Sequence, residues 1–200
     1  MIEEKAEYYN TGYQSAEAKN YREHYTKSRY FFLWQKIVEL ISKQPQINKQ
    51  SSILDIGCGP GQFANYMFDQ EYKKYNGLDF SYKAIEYAQQ ANPNYKNNFT
   101  CADLYSTQHH KQKYDLVIAL ETLEHIEGDI EIIKQIPSDT RFIFSVPNFG
   151  GQGHVRHFNT AVEILNRYCY ILEFEFAYNS IERVDVNKNV SYFICNTIKI

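Results

Sequence analysis

Between Ser51 and Met67 the chain reads SSILDIGCGPGQFANYM. A short apolar run opens into five residues of which three are glycine, Gly57, Gly59 and Gly61, and an amphipathic stretch follows. A glycine-rich turn between a strand and a helix lets backbone approach a ligand closely, and helix N-termini favour anions. Asp55 stands at the mouth of this loop, and an acid there opposes a phosphate. The loop also reads G-x-G-x-G, one residue shorter than the dinucleotide fingerprint G-x-G-x-x-G. A ligand with cationic groups and no phosphate satisfies both features.

The rest of the chain gives this loop a sheet to sit on. Apolar residues at three- and four-residue steps predict a helix over 15–42, ended by Pro45 and Asn48. Strands are then expected at 52–56, 75–79, 98–101, 115–120 and 141–146, with helices at 61–70, 82–91 and 122–135 between them. Strands alternating with helices imply parallel strands covered on both faces. After a helix at 160–168, ILEFEFAY alternates apolar with acidic residues and VSYFICNTIKI closes the sequence, which suits an antiparallel pair with one wetter face. The fold class expected is α/β, a Rossmann-like, doubly wound, mostly parallel seven-stranded sheet with a C-terminal antiparallel hairpin and N-terminal helices.

Composition narrows the partners. Two hundred residues suit one domain, here divided into an N-terminal extension or lid over 1–45 and a ligand-binding domain over 46–200. Twenty-one basic against twenty-four acidic side chains leave a net charge of −3, and no basic run exceeds Lys73-Lys74, which disfavours a long nucleic acid. Cys58, Cys101, Cys169 and Cys195 form no C-x-x-C pair and read as reduced thiols of a cytoplasmic protein with no cysteine zinc site. The first ten residues are acidic and polar, unlike a signal peptide, and no apolar run approaches a membrane span. His109-His110, between polar neighbours, reads as surface loop.

LDIGCGPG, followed in order by YNGLDFS, CADL, YDLVIALETLEHI and FIFSVPN, resembles the class I S-adenosylmethionine-dependent methyltransferases from about Ile53 onward. That donor carries an ammonium and a sulfonium and no phosphate. The resemblance implies a donor site made of Asp55, Gly57, Gly59, Gly61, Asp79 with Phe80, Asp103 with Leu104, and Glu121. Asp79 would accept both ribose hydroxyls, and Asp103 would serve the adenine side. ETLEHI, SVPN and HVRHF are similar to the branch containing ubiquinone-pathway O-methyltransferases, many of which act on small molecules, although QIPSDTR replaces the usual LKPGG. The activity implied is methyl transfer to an oxygen or nitrogen of a small-molecule acceptor.

On the acceptor side, Glu121, Glu124 and His125 fall where the fourth strand opens into a helix, and His154 and His157 lie in a Gly-rich loop beyond the fifth. His125, His154 and His157 are candidates for taking the acceptor proton, since imidazole titrates near neutrality. Glu121, Glu124, His125 and His157 are candidate ligands of a divalent metal, because E-x-x-E-H with a later histidine is similar to the metal-using small-RNA 2′-O-methyltransferases. A metal-assisted RNA methyltransferase, an NAD-type oxidoreductase and a non-catalytic donor-binding protein stay open as alternatives. The tyrosines from Tyr8 to Tyr25 lie in a polar stretch and are expected to form a lid over the site, with Gly12 as its hinge.

Overall fold

The computed structural model describes residues 2–15, 17–174 and 181–200. The chain divides into two units, residues 5–107 and residues 1–4 with 108–200.

The first unit begins with α1 (Ala6–Gln14), two 3-10 turns at Glu17–Arg22 and Tyr25–Lys27, and α2 (Phe31–Ser42). The continuous helix expected over 15–42 is therefore broken. The early tyrosines follow a helical spacing but are diluted by polar residues, and only α2 carries an unbroken apolar stripe, Leu33, Trp34, Ile37, Val38 and Ile41, all buried. Gly12 lies inside α1 rather than at a hinge. Then come β1 (Ile53–Ile56), α3 (Gln62–Asp69), β2 (Tyr75–Asp79), α4 (Tyr82–Ala91), a 3-10 turn at Pro93–Asn98 and β3 (Phe99–Cys101). β1 and β2 are parallel, as are β2 and β3.

Aromatic side chains fix the packing in this unit. Trp34 meets Phe63 of α3 at 6.0 Å between centroids, and Phe63 meets Tyr75 of β2 at 6.4 Å. Each buried ring of this size contributes several kcal/mol, on the order of 3–5 when truncated to alanine. Ser81 starts α4 as its N-cap, its Oγ accepting from the Ala84 N–H at 3.1 Å.

The second unit contains β4 (Leu116–Leu120), a 3-10 turn at Leu123–His125, α5 (Asp129–Gln135), β5 (Arg141–Pro147), α6 (Ala161–Tyr168), β6 (Leu172–Phe174), β7 (Ile181–Asp185) and β8 (Ser191–Lys199). β4 and β5 are parallel, β8 runs antiparallel along all of β5, and β6 and β7 both pair antiparallel with the other edge of β8. The C-terminal hairpin is formed by β7 and β8. The alternating segment expected to supply its first strand yields β6, while residues 175–178 of it lie outside the described residues.

Three expectations here are corrected. β8 is buried almost throughout, so the wetter face is confined to Glu173 of β6 and to β7. The helix expected over 122–135 is split, because residues 126–128 leave helical geometry before α5 starts at Asp129. His110 is likewise not a surface residue. It is fully buried at the 3-10 turn His109–Lys111, and burial lowers its pKa.

Asp129 organises the interior of this unit. It is 0 % exposed and receives Arg167 Nε at 2.9 Å, Arg167 Nη2 at 2.5 Å and the Tyr168 hydroxyl at 2.6 Å, with Arg156 Nη1 at 3.3 Å. A charge so placed is tolerated because cations and a hydroxyl surround it. No helix among the described residues is long and apolar enough to cross a membrane.

Candidate functional site

The glycine loop leaves the carboxyl end of β1 in a conformation that side chains resist. Gly57, Gly59 and Gly61 have φ of 75°, 52° and 74°. At Gly61 a Cβ would also stand 2.8 Å from Ala88 Cβ and 2.9 Å from Asn92 Nδ2, so glycine is what lets the loop close onto α4. The Leu78 carbonyl accepts from the Gly57 and Cys58 N–H groups at 2.8 and 2.9 Å, tying the loop to β2.

Two carboxyls frame this loop. Asp55 is buried on β1 and accepts from the Tyr75 hydroxyl. Burial raises its pKa to about 7, against the lowering effect of that hydrogen bond and with a further push from Asp79. Asp79, at the end of β2, accepts from the Gly59 N–H through Oδ2 at 3.0 Å and from the Ser81 N–H through Oδ1 at 2.8 Å. Burial raises it to about 6, and those two N–H groups pull it back. Each carboxylate oxygen keeps lone-pair capacity for a further donor.

Elements before β1 reach the same loop. Tyr13 of α1 holds its hydroxyl over Gly59, 3.3 Å from where a Cβ would lie, and its pKa stands well above 10 through burial and the charge of Asp79. Asn10 Oδ1 accepts from Ser81 Oγ at 2.8 Å and from the Lys83 N–H at 3.3 Å. Tyr9 packs on Phe80 with centroids 5.1 Å apart. Gln62, the first residue of α3, donates to the Asn20 and Glu23 carbonyls at 2.9 and 2.6 Å. Asp103 is exposed and caps its own turn, Oδ1 accepting from the Tyr105 N–H at 2.9 Å, and Leu104 is half-buried beside it.

In the second unit, Glu121 follows β4 with φ of 51°, a strained conformation for a residue with a side chain. Its N–H donates to the Ser145 carbonyl at 3.1 Å, and Ser145 Oγ donates to Glu121 Oε1 at 2.8 Å. Burial raises the Glu121 carboxyl to about 8 despite that bond. Glu124 is 1 % exposed, neither of its carboxylate oxygens has a hydrogen-bond partner, and burial together with Glu121 pushes its pKa well up.

His125 donates from Nδ1 to the Gly153 carbonyl at 2.9 Å, which leaves Nε2 as the nitrogen facing Glu124 Oε1 at 3.9 Å. Burial lowers its pKa to about 4. His154 meets His125 edge to face at 4.7 Å. Glu124, His125 and His154 thus converge, their ligand atoms all within 4.8 Å of one another. Of the metal-ligand set that the resemblance implies, Glu124 and His125 belong to that group, Glu121 and the exposed His157 lie outside it, and His154 lies within it.

Arg156 was not singled out by spacing, although it lies between two histidines that were. Its guanidinium donates to the Leu123, Ile126 and Glu127 carbonyls, while the Val155 N–H donates to the Glu124 carbonyl at 2.8 Å. Nothing in HVRHF marks that role, since it depends on which carbonyls the turn exposes.

A methyltransferase domain model matches residues 22–165. The chain belongs to the class I S-adenosylmethionine-dependent methyltransferases. Among solved structures, the methyltransferase fold is shared with the N-methyltransferase NodS of Bradyrhizobium japonicum WM9 in complex with S-adenosyl-L-homocysteine, at 16% identity and a TM-score of 0.67 over 97% of each chain. Magnesium protoporphyrin IX methyltransferase of Synechocystis PCC 6803, with bound S-adenosylmethionine, aligns at 18% identity and 0.64 over 98% of this chain and 97% of that one. The [4+2]-cyclase SpnF aligns at 13% and 0.64 over 82% and 80%. No curated protein sequence matches significantly. For this methyltransferase the family settles the class of fold, and likenesses at such identity add nothing about the acceptor.

Proposed function

We propose that this methyltransferase transfers the methyl group of S-adenosylmethionine to an oxygen or nitrogen of a small-molecule acceptor. The observation that carries the donor assignment is Asp79, a buried carboxylate fixed by the Gly59 and Ser81 N–H groups at the carboxyl end of β2. There it can accept the ribose hydroxyls without moving. Asp55, Gly57, Gly59 and Gly61 serve the cationic methionine end, and Phe80, Asp103 and Leu104 the adenine end. Asp55 also speaks against the oxidoreductase reading, since a pyrophosphate would meet like charge.

The chemistry asks mainly for position. Donor sulfur, methyl carbon and acceptor atom must be collinear, and holding two reactants so supplies much of the rate in a bimolecular displacement. The N-terminal residues 1–45 act as a lid through Tyr13, Asn10 and Tyr9, which already meet the loop, Ser81 and Phe80. Among the three candidate imidazoles, His157 stands outside the Glu124 group, and we assign it the acceptor proton, with His125 and His154 positioned by that group. The free thiols of all four cysteines, two of them buried, suit a cytoplasmic setting.

The test is transfer of a radiolabelled methyl group to a panel of phenols, carboxylates, amines and short RNAs. Label in a small molecule and none in RNA is expected. Label in RNA alone would replace the acceptor class. Donor binding without transfer to anything would make the protein a donor-binding module, and the shared fold of a cyclase gives that outcome weight.

A further inference from the structure

We infer that Glu124, His125 and His154 form a binding site for one divalent cation of the manganese, iron, cobalt or zinc type. One ligand atom from each residue lies within 4.8 Å of the other two, which is the spread expected of groups able to close on a single ion.

An independent observation points the same way. Glu124 is 1 % exposed and both of its carboxylate oxygens are buried without a hydrogen-bond partner. Buried polar groups in folded proteins are nearly always paired, and leaving one unpaired is costly. A cation coordinated by this carboxylate removes the anomaly.

The surroundings also match what metal ligands need. A ligating imidazole commonly donates its second nitrogen to a carbonyl, which fixes the ring and directs the other nitrogen at the ion. His125 does so through Nδ1 to the Gly153 carbonyl at 2.9 Å, turning Nε2 towards Glu124. Arg156 then locks the Glu124–His125 turn through the Leu123, Ile126 and Glu127 carbonyls, and Asp129 lies 3.3 Å from its Nη1. The other acid near the group, Glu121, is engaged by Ser145.

Two imidazoles and a carboxylate favour these borderline cations over magnesium or calcium, which prefer all-oxygen shells. Three protein ligands leave coordination positions for a small oxygen ligand.

The experiment titrates chelator-treated protein with manganese(II), followed by loss of the free-ion electron paramagnetic signal, and with cobalt(II), followed by visible absorption. One equivalent is expected to bind, and Glu124→Gln and His154→Ala should each weaken binding at least about tenfold, since even outer partners of metal ligands contribute that much. Should Glu124→Gln fail to fold, as judged by circular dichroism, the loop variant His154→Ala carries the comparison. Absence of binding to the wild type, or equal binding by folded variants, overturns the site. S-adenosylmethionine affinity, measured calorimetrically in chelator, is read separately: its absence would strike the donor reading and leave the cation site standing.

Discussion

Tyr75 on β2 donates its hydroxyl hydrogen bond to Asp55 on the adjacent strand β1. The register pairs Tyr75 with Ile53, two residues before Asp55, so both side chains emerge on one face of the sheet just beneath the glycine loop. The bond matters because Asp55 and Asp79 are both buried acids beside a loop whose ligand carries positive charge.

Their titration gives a signed prediction. Asp55 at about 7 and Asp79 at about 6 both stand above the ordinary aspartate value of 3.8. The folded, donor-free protein therefore holds protons that the unfolded chain has released. That contribution to stability is fully present below about pH 4 and is lost as pH rises through about 6 to 7. The melting temperature of the donor-free protein should fall across that window, and Asp55→Asn should flatten the fall. A profile that rises over the same range contradicts the assignment.

The N-terminal helix should matter to the donor more than to the fold. Every residue of α1 keeps some solvent exposure, yet its Asn10 and Tyr13 meet Ser81 and Gly59. Removing residues 1–14 should shift the melting temperature by no more than about 2–4 °C, the equivalent of roughly 1 kcal/mol in a chain this size. Donor dissociation, followed by stopped flow, should become about tenfold faster, as expected for roughly 1.4 kcal/mol of lost contact. An unchanged off-rate would make α1 a bystander.

Asp129 is predicted to be structural. Asp129→Ala leaves the Arg156 and Arg167 guanidinium groups and the Tyr168 hydroxyl without their shared acceptor. Breaking a buried ion pair costs about 3–5 kcal/mol, which urea unfolding would register as a lower midpoint. A loss below about 1 kcal/mol would mean that water replaces the carboxylate, as at a surface pair.

The parts of the molecule legible in the sequence were those governed by local rules. Ile53–Ile56, the three glycines and Ser81 announce strand, loop and N-cap through apolar run, positive φ and side-chain capping, and each stands where expected. What failed depended on partners distant in sequence. β7 reads IERVD, a half-exposed edge segment with too few apolar residues to signal a strand, and it exists because β8 offers it an edge. The break between His125 and Asp129 is held by Arg156, thirty residues away, and the burial of His110 has no local cue. At the candidate site, which histidine comes near Glu124 and His125, His154 rather than His157, turned on the fold of a glycine-rich loop, where spacing is a poor guide to direction.

The central claim is that Asp79 and the glycine loop hold the methyl donor. Calorimetric titration of S-adenosylmethionine into the wild type and Asp79→Ala, both checked for folding, tests it most directly. One donor per chain should bind the wild type, and the variant should bind roughly ten- to a hundredfold more weakly, the loss of a charge-assisted hydrogen-bond acceptor contributing about 1.5–3 kcal/mol. Equal affinity in the folded variant would contradict it.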